Sequence, residues 1–551
     1  MLFWCEECNI PVYEEYCPIC GTKAKEFTPD ARPVFPEERL LIEIILGAPL
    51  KFINDSVWNG SGNNYYVNGK RLPLSISKLN DLDPELVRAE LTRYESKNSY
   101  QAFDSLMSKW KLANERRFHD ITTEARQFII EKHNQTVKTE VPSVIVSFSG
   151  GKDSTVVSDL VRKALGNPSI IHIFGNTTLE FPQTYDYIKR FKDENRKTPV
   201  LKAENRQQDF FNLCNYFGPP SRSLRWCCTV FKTGFIDNKI KSTFDKQKNI
   251  LTFYGIRRSE STSRSYYERS SIGRKISNQV VASPIIDWFD HDIWLYIISS
   301  GIDFNSAYRL GYTRVGCWCC PNNSKWSQFL ASVYMPEQTA RFNDILLAFA
   351  KKMGKTDPEE YVKNGGWKAR QGGAGIEMSK NVAIEFTPCA TDELSFNYEL
   401  SKPISDQLYE LFKPFGVLNF EMGNPRLGEV FVLDKKTMLP IIKIQGRKGS
   451  RELKLSILRK PIAGRTKTVE IELKFKCQIT KFQLCTGCHA CESACKQGAI
   501  KLLKQSDSDI DYKYVIDENS CVHCYECINH YTGGCYMRRV LLPRGRNYQG
   551  K

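Results

Sequence analysis

No stretch of the sequence holds the roughly eighteen consecutive apolar residues that a membrane-spanning helix needs. The chain reaches Cys5 and Cys8 without an apolar h-region, so it also lacks the mark of a secretory leader. Both absences predict a cytoplasmic protein with no membrane partner. Acidic residues are in deficit: 62 Asp and Glu face 78 Lys and Arg, a formal net charge of +16. That excess suits an anionic partner, whether nucleotide, nucleic acid or acidic protein, or serves only as a solubilising surface; charge alone does not choose. Internal repeats are missing too, save for a doubled cysteine pattern after residue 484. Cysteine itself is abundant. There are 20, and most fall in C-x2-C spacings. In a reducing compartment such thiols bind metal and do not form disulfides. A chain of 551 residues with 41% hydrophobic content is too long for one core. Roughly two to four globular domains are expected.

Residues 1–27 hold four cysteines, and 28–37, with prolines at 29, 33 and 36, reads as a linker. Residues 38–140 read as a small α+β element followed by a helical lead-in over 82–135, where Leu86, Leu106, Trp110 and Ile129 are among the periodic apolar positions. From Val144 onward, short apolar runs at 144–148, 170–174, 200–203 and 250–254 alternate with helical periods at 156–165 and 185–191. This alternation predicts an α/β domain over 141–330 with a doubly wound parallel sheet. Ligands of such sheets sit at the carboxyl ends of the strands. Residues 331–475 read as helical to about 380 and then strand-rich, a connecting region whose role is not legible, and 476–551 carry the doubled cysteines.

The segment Ser147-Phe148-Ser149-Gly150-Gly151-Lys152-Asp153-Ser154-Thr155 follows a buried strand and opens a helix. Glycines there allow close approach, and the helix N-terminus carries partial positive charge, so backbone amides can cradle phosphate. Lys152 adds a mobile cation, and Ser149 and Ser154 add hydroxyls, on a loop expected to face solvent. The spacing is not that of a Walker A loop. The plain alternative is a structural βα turn. Further on, Arg257, Arg258 and Arg264 suit an oxyanion, because guanidinium forks bind phosphate or sulfate through paired hydrogen bonds. Their plain alternative is a solvated basic loop.

The intact Ser149-to-Ser154 string resembles the PP-loop of ATP pyrophosphatases, which split ATP between the α and β phosphates. Three more stretches narrow the match: Asn176-Thr177-Thr178-Leu179-Glu180-Phe181-Pro182-Gln183-Thr184, then Gly255-Ile256-Arg257-Arg258-Ser259-Glu260-Ser261 with Arg264, then Pro284-Ile285-Ile286-Asp287-Trp288. Together they resemble the PAPS reductase family, which also contains the small subunit of ATP sulfurylase and the sulfur-incorporating enzymes of DNA phosphorothioation. The resemblance spans roughly residues 141–330 and implies an adenine nucleotide alpha hydrolase-like fold. It implies that ATP, or adenylyl sulfate, is held by Ser147, Ser149, Gly150, Gly151, Ser154, Thr155, Glu260 and Arg264. Lys152, Asp153, Arg257 and Arg258 would then carry the chemistry, with Asp153 helping to hold Mg2+ on the phosphates.

Sixteen of the 20 cysteines fall into four sets. Cys5, Cys8, Cys17 and Cys20 have the two-knuckle spacing of a zinc ribbon. Cys227 and Cys228 with Cys317 and Cys320 suit a [4Fe–4S] cube, with zinc as the alternative, and resemble the cluster ligands of iron–sulfur adenylyl-sulfate reductases. Cys319 is left over, as a spare core thiol or a substitute ligand. The third and fourth sets resemble a bacterial two-cluster ferredoxin, an α+β module. In that pattern Cys535 completes Cys485, Cys488 and Cys491, while Cys495 completes Cys521, Cys524 and Cys527. Lys496 stands where the pattern has proline, and the last gap is longer than usual. Paired zinc fingers are the alternative.

Reductases of the family carry a C-terminal Glu-Cys-Gly type segment, and no such tripeptide occurs here. With the intact loop, that absence favours an ATP-cleaving enzyme that activates a substrate for sulfur transfer. The expected cofactors are Mg2+, three [4Fe–4S] clusters and Zn2+; the expected partners are an electron donor or sulfur-donor protein, with nucleic acid as a candidate substrate. One alternative is an adenylyl-sulfate or phosphoadenylyl-sulfate reductase releasing sulfite with ferredoxin-domain electrons. Another is a non-catalytic redox sensor that binds nucleic acid.

Overall fold

The computed structural model describes residues 1–535 other than 62–63, 75–78, 80–81, 138–142, 245–249, 273–278, 370–384, 390–391, 393, 460–467, 506–511 and 530–534. The expectations for 370–380 and 536–551 lie outside the described residues. The chain divides into two units, Met1–Glu204 with Lys239–Arg341, and Asn205–Asn238 with Phe342–Lys551. No helix of the described residues is long and apolar enough to cross a membrane.

The first unit begins with strands β1 (Phe3–Cys5), β2 (Ile10–Val12) and β3 (Lys25–Glu26), paired in the order β2-β1-β3 around the first four cysteines. The stretch 28–37, expected as a linker, is structured. Strand β4 (Ala31–Pro33) lies at the edge of a four-stranded antiparallel sheet, ahead of helix α1 (Pro36–Ile45) and strands β5 (Val57–Gly60), β6 (Asn64–Val67) and β7 (Lys70–Arg71). An edge strand tolerates Pro33 because the missing N–H faces away from the ladder. Arg32 pairs with Glu38 through two bonds of 2.7 and 2.6 Å, both side chains buried. The helical lead-in becomes α2 (Pro84–Glu95), α3 (Gln101–Ala113) and α4 (Glu115–Val137).

Next come β8 (Ser143–Ser147), α5 (Lys152–Ala164), β9 (Ile171–Asn176), α6 (Pro182–Glu194), β10 (Val200–Glu204), β11 (Ile250–Phe253), β12 (Ser270–Ile272) and β13 (Gln279–Ala282). The six strands form one sheet in the order β10-β9-β8-β11-β13-β12, parallel except for β12, which runs against β13. The expected α/β, doubly wound sheet is therefore present. Ile145 and Val146 of β8 are buried, as are Val156, Val157, Leu160 and Val161 of α5, each contributing about 1.5–3 kcal/mol by leaving water. Strands β12 and β13 had no counterpart in the apolar pattern, since one is short and serine-rich and the other opens on Gln279. The sequence runs outward from β8 to β10 on one side and from β11 to β13 on the other. The order therefore reverses between β8 and β11, and the crevice at their carboxyl ends is the place for a ligand.

The second unit contains a six-stranded antiparallel sheet made, in spatial order, of Glu385–Pro388, Ser395–Glu399, Glu452–Ile457, Pro440–Gln445, Glu429–Leu433 and Val417–Asn419. Its core includes Val432, Ile444 and Leu455, together with Phe475, Cys477 and Ile479 from the helix Thr468–Leu484. A ladder of Ile500–Lys504 with Tyr512–Ile516 adds Leu502, Tyr514 and Ile516 to the same core, among the C-terminal cysteines.

Candidate functional site

The loop after β8 sits at the reversal point, with Gly150 at φ +71 and Gly151 capping α5. Its own polar groups close it: Ser154 Oγ donates to Gly151 O at 2.8 Å and accepts from Ser149 N at 3.2 Å. Lys152 N donates to Tyr308 Oη at 3.0 Å, and Asn305 Nδ2 donates to Gly150 O at 3.1 Å. Thr155 turns inward to Tyr187, 2.8 Å away, and Ser147 is the last residue of β8. Gly255, after β11, lies against the loop so closely that a Cβ there would meet the Asp153 carbonyl carbon at 2.7 Å.

Lys152 is not solvent-facing, as the sequence suggested; it is 4% exposed. Its Nζ lies 3.3 Å from Asp153 Oδ2, 3.4 Å from Asp290 Oδ1 and 3.2 Å from Thr313 O. Arg257, equally buried, bonds Asp153 Oδ1 at 2.5 Å and Asp290 Oδ1 at 2.6 Å. Two cations and two carboxylates thus close a charge-balanced network. Burial opposes ionisation of each, but the opposite charges outweigh it. Lys152 is held above its ordinary pKa, Asp153 below, and Asp290 at about 2. Asp290 is the first residue of the helix Asp290–Ser300, whose exposed amides are capped from the N-terminal segment: Asp30 accepts from Asp290 N and His291 N, each at 2.9 Å. Burial, then the neighbouring Asp290, pushes Asp30 up to about 6.

The three arginines do not share one partner. Arg257 faces the buried carboxylates, Arg258 pairs with the exposed Asp287, and Arg264 pairs with Glu260, whose other contact is Arg257 N. Burial, and then the charge of Arg314, lowers the Arg264 pKa. Asp290, Asp30, Tyr308 and Arg314 escaped the sequence reading. Asp290 lay two residues beyond a motif already in view; Asp30 and Tyr308 come from distant parts of the chain.

Cys5, Cys8, Cys17 and Cys20 bring their sulfurs within 4.8 Å of one another. The Cys5–Cys20 separation is 3.5 Å and Cys8–Cys17 3.7 Å, close to the edge of about 3.8 Å for a tetrahedron with Zn–S of ~2.3 Å. The donor set fits zinc. Cys227 and Cys228, on the short helix Trp226–Cys228, belong to the second unit, while Cys317, Cys319 and Cys320 belong to the first. Cys317 bridges to Glu180 and lies 3.4 Å from Thr177 Oγ1, and Cys319 is buried.

In the second unit, Cys485 and Cys491 both lie against Tyr514 Oη, at 3.6 and 3.1 Å. Burial, then the sulfurs of Cys535, Cys491 and Cys485, raise the Cys488 thiol well above its ordinary pKa. Cys495, Cys521, Cys524 and Cys527 line a single pocket. Amides already point at sulfur, Gly487 N at Cys485 and Ala499 N at Cys495, at 3.4 and 3.3 Å. Soft sulfur in two groups of four with N–H···S contacts fits iron–sulfur clusters.

Residues 143–323 match the phosphoadenosine phosphosulfate reductase domain, and 484–530 match the 4Fe-4S dicluster domain. Two uncharacterized proteins of Methanocaldococcus jannaschii are 32% and 29% identical over 44% and 49% of this chain, and 56% and 53% of their own length. The chain thus spans about half the length of these curated relatives. The adenosine 5'-phosphosulfate reductase of Staphylococcus epidermidis is 26% identical over 38% of this chain and 80% of that protein. Residues 143–323 are thus similar to a phosphoadenosine phosphosulfate reductase domain and 484–530 to a 4Fe-4S dicluster domain, beside an N-terminal four-cysteine cluster.

Proposed function

We propose that this chain, built on a phosphoadenosine phosphosulfate reductase domain and a 4Fe-4S dicluster domain, binds ATP at the phosphate loop and cleaves it to AMP and pyrophosphate to activate an acceptor for sulfur transfer. The observation carrying this reading is the intact Ser149-to-Ser154 loop at the sheet's reversal point, backed by the Lys152–Asp153–Arg257–Asp290 network. A triphosphate supplies the anionic charge that draws Lys152 and Arg257 from the carboxylates, which frees Asp153 for Mg2+. An acceptor oxygen attacks the α-phosphorus, the bond to the β-phosphate oxygen breaks, and pyrophosphate leaves with that electron pair. Sulfur from a hydrosulfide or persulfide donor then displaces AMP. Loss of Lys152 or Arg257 removes a donor to developing phosphate charge, worth roughly 2.7–4 kcal/mol of barrier.

In the dicluster domain, Cys485, Cys488, Cys491 and Cys535 would hold one cluster, and Cys495, Cys521, Cys524 and Cys527 the other. Clusters held there would supply one-electron chemistry, and thus the electron pair needed where a persulfide S–S bond is split. Cys227, Cys228, Cys317 and Cys320 remain the proposed ligands of a third cluster, and Cys5, Cys8, Cys17 and Cys20 of zinc.

The second reading, reduction of adenylyl sulfate to sulfite, is favoured by the name of the Staphylococcus epidermidis relative. It would call on Cys319 as nucleophile, and that thiol is buried. Anaerobically prepared protein given ATP and Mg2+ is expected to release AMP and pyrophosphate, and given adenylyl sulfate with a reductant to release no sulfite. Sulfite formed without ATP and lost in Cys319→Ser would make the reductase reading correct.

A further inference from the structure

The helix Thr468–Leu484 runs beside the cysteine-rich segments and carries a lysine where its face is buried. Lys481 is 3% exposed, and its Nζ donates to the backbone oxygen of Cys527 at 2.8 Å. Among the described residues no carboxylate pairs with it. The side chains whose charge would bear on it are sulfurs: Cys477 on its own helix, Cys491 and Cys535 of one cysteine set, and Cys527 of the other. Four residues on, Cys485 N bonds to Lys481 O at 3.1 Å, which ties the end of the same helix to the first set.

An ammonium buried without a counter-ion is costly. A cluster in each cysteine set would supply one, because thiolate-bound cubes are anionic and gain one negative charge on reduction. A fixed cation nearby stabilises the reduced state more than the oxidised one, and a buried site screens the interaction weakly.

We propose that Lys481 is a shared buried counter-cation for both clusters of the C-terminal module, placed between the two cysteine sets to make both clusters easier to reduce. This rests on the reading that each set holds a [4Fe–4S] cube. Lys481 touches neither nucleotide nor acceptor; it acts through the clusters, as a positioning charge. Because both clusters share one charge, its removal shifts the two couples in the same direction.

The test is anaerobic redox titration of the full-length, iron-loaded protein, followed by the reduced-cluster electron paramagnetic resonance signal, with iron counted in every sample. Lys481→Gln keeps a donor near Cys527 O but removes the charge; Lys481→Arg keeps the charge. In Lys481→Gln with wild-type iron content, the ratio of reduced to oxidised cluster at a fixed potential is expected to fall about tenfold, a midpoint lower by about 59 mV for a one-electron couple. An unchanged midpoint at full iron content overturns the proposal. If Lys481→Gln loses iron, a Lys481→Arg protein that keeps iron and a near-wild-type midpoint supports it, and loss of iron from both variants overturns it. Wild-type protein that takes up no iron in these cysteines sinks the cluster reading and the proposal together, whereas normal iron with an unmoved midpoint sinks the proposal alone.

Discussion

Arg257 and Arg258 are neighbours in sequence and opposites in setting. Arg257 is buried between Asp153 and Asp290, while Arg258 pairs with Asp287 where the side chains are 37% and 63% exposed. Removing one partner of a buried ion pair strands the other charge. Arg257→Ala is therefore expected to destabilise the protein by roughly 3–5 kcal/mol, and Arg258→Ala by less than about 1 kcal/mol, as measured from denaturant midpoints. Two buried histidines set the acid limit. Burial holds His172 and His291 at about 4, and His291 stays neutral while Trp110 Nε1 donates to its Nε2 at 3.2 Å. Their folded pKa values lie below the unfolded value of about 6.5, so stability is intact above that pH and drains as pH falls toward 4. Each histidine accounts for up to roughly 3 kcal/mol. Asp30, raised to about 6, takes up its proton first in the folded state and so offsets part of the loss between about pH 6 and 4. The thermal midpoint should be lower at pH 4.5 than at 7.5, with the gap narrower in His291→Gln; an equal gap would refute the assignment.

At the scale of the element, the phosphate loop depends on the close approach of two strand-to-loop junctions across the sheet's reversal point. Gly255 allows it, since a Cβ there would meet Asp153 and Ser154 backbone atoms at 2.7 to 2.8 Å, and backbone cannot swing aside as a flexible side chain can. Gly255→Ala should weaken ATP binding at least tenfold by calorimetry while the far-ultraviolet circular dichroism stays that of the wild type. The loop itself was legible because its glycines, hydroxyls and lysine are contiguous in sequence. The way Asp290 closes it was not. Its position depends on the cap that Asp30 places on the helix Asp290–Ser300, a contact across 260 residues that leaves no local pattern.

For the whole molecule, metal content separates the readings. With all four cysteine sets loaded, the anaerobic protein should carry about twelve irons and one zinc, by the arithmetic of four irons per cube and one tetrahedral zinc site. Iron near eight would leave Cys227, Cys228, Cys317 and Cys320 to zinc or to no metal and remove any redox role for them. The division of the chain is discontinuous, with Asn205–Asn238 grouped with Phe342–Lys551, so the segment bearing Cys227 and Cys228 is assigned apart from the sheet domain that encloses it in sequence. Linear domain boundaries at 141 and 330 do not express that division.

The sequence by itself determined the parallel α/β sheet, the glycine-rich loop at the end of β8 and the gathering of Cys5, Cys8, Cys17 and Cys20, because each is written in short-range periodicity or spacing. Only the tertiary structure decided that Lys152 is buried in a balanced charge network and that Arg257, Arg258 and Arg264 face different carboxylates. It alone decided that 28–37 is a strand and cap in place of a linker, and that Lys481 is buried against Cys527. The reason is physical: burial and charge pairing are set by whichever groups the folded chain brings within a few ångströms, and those partners lie up to hundreds of residues away in sequence.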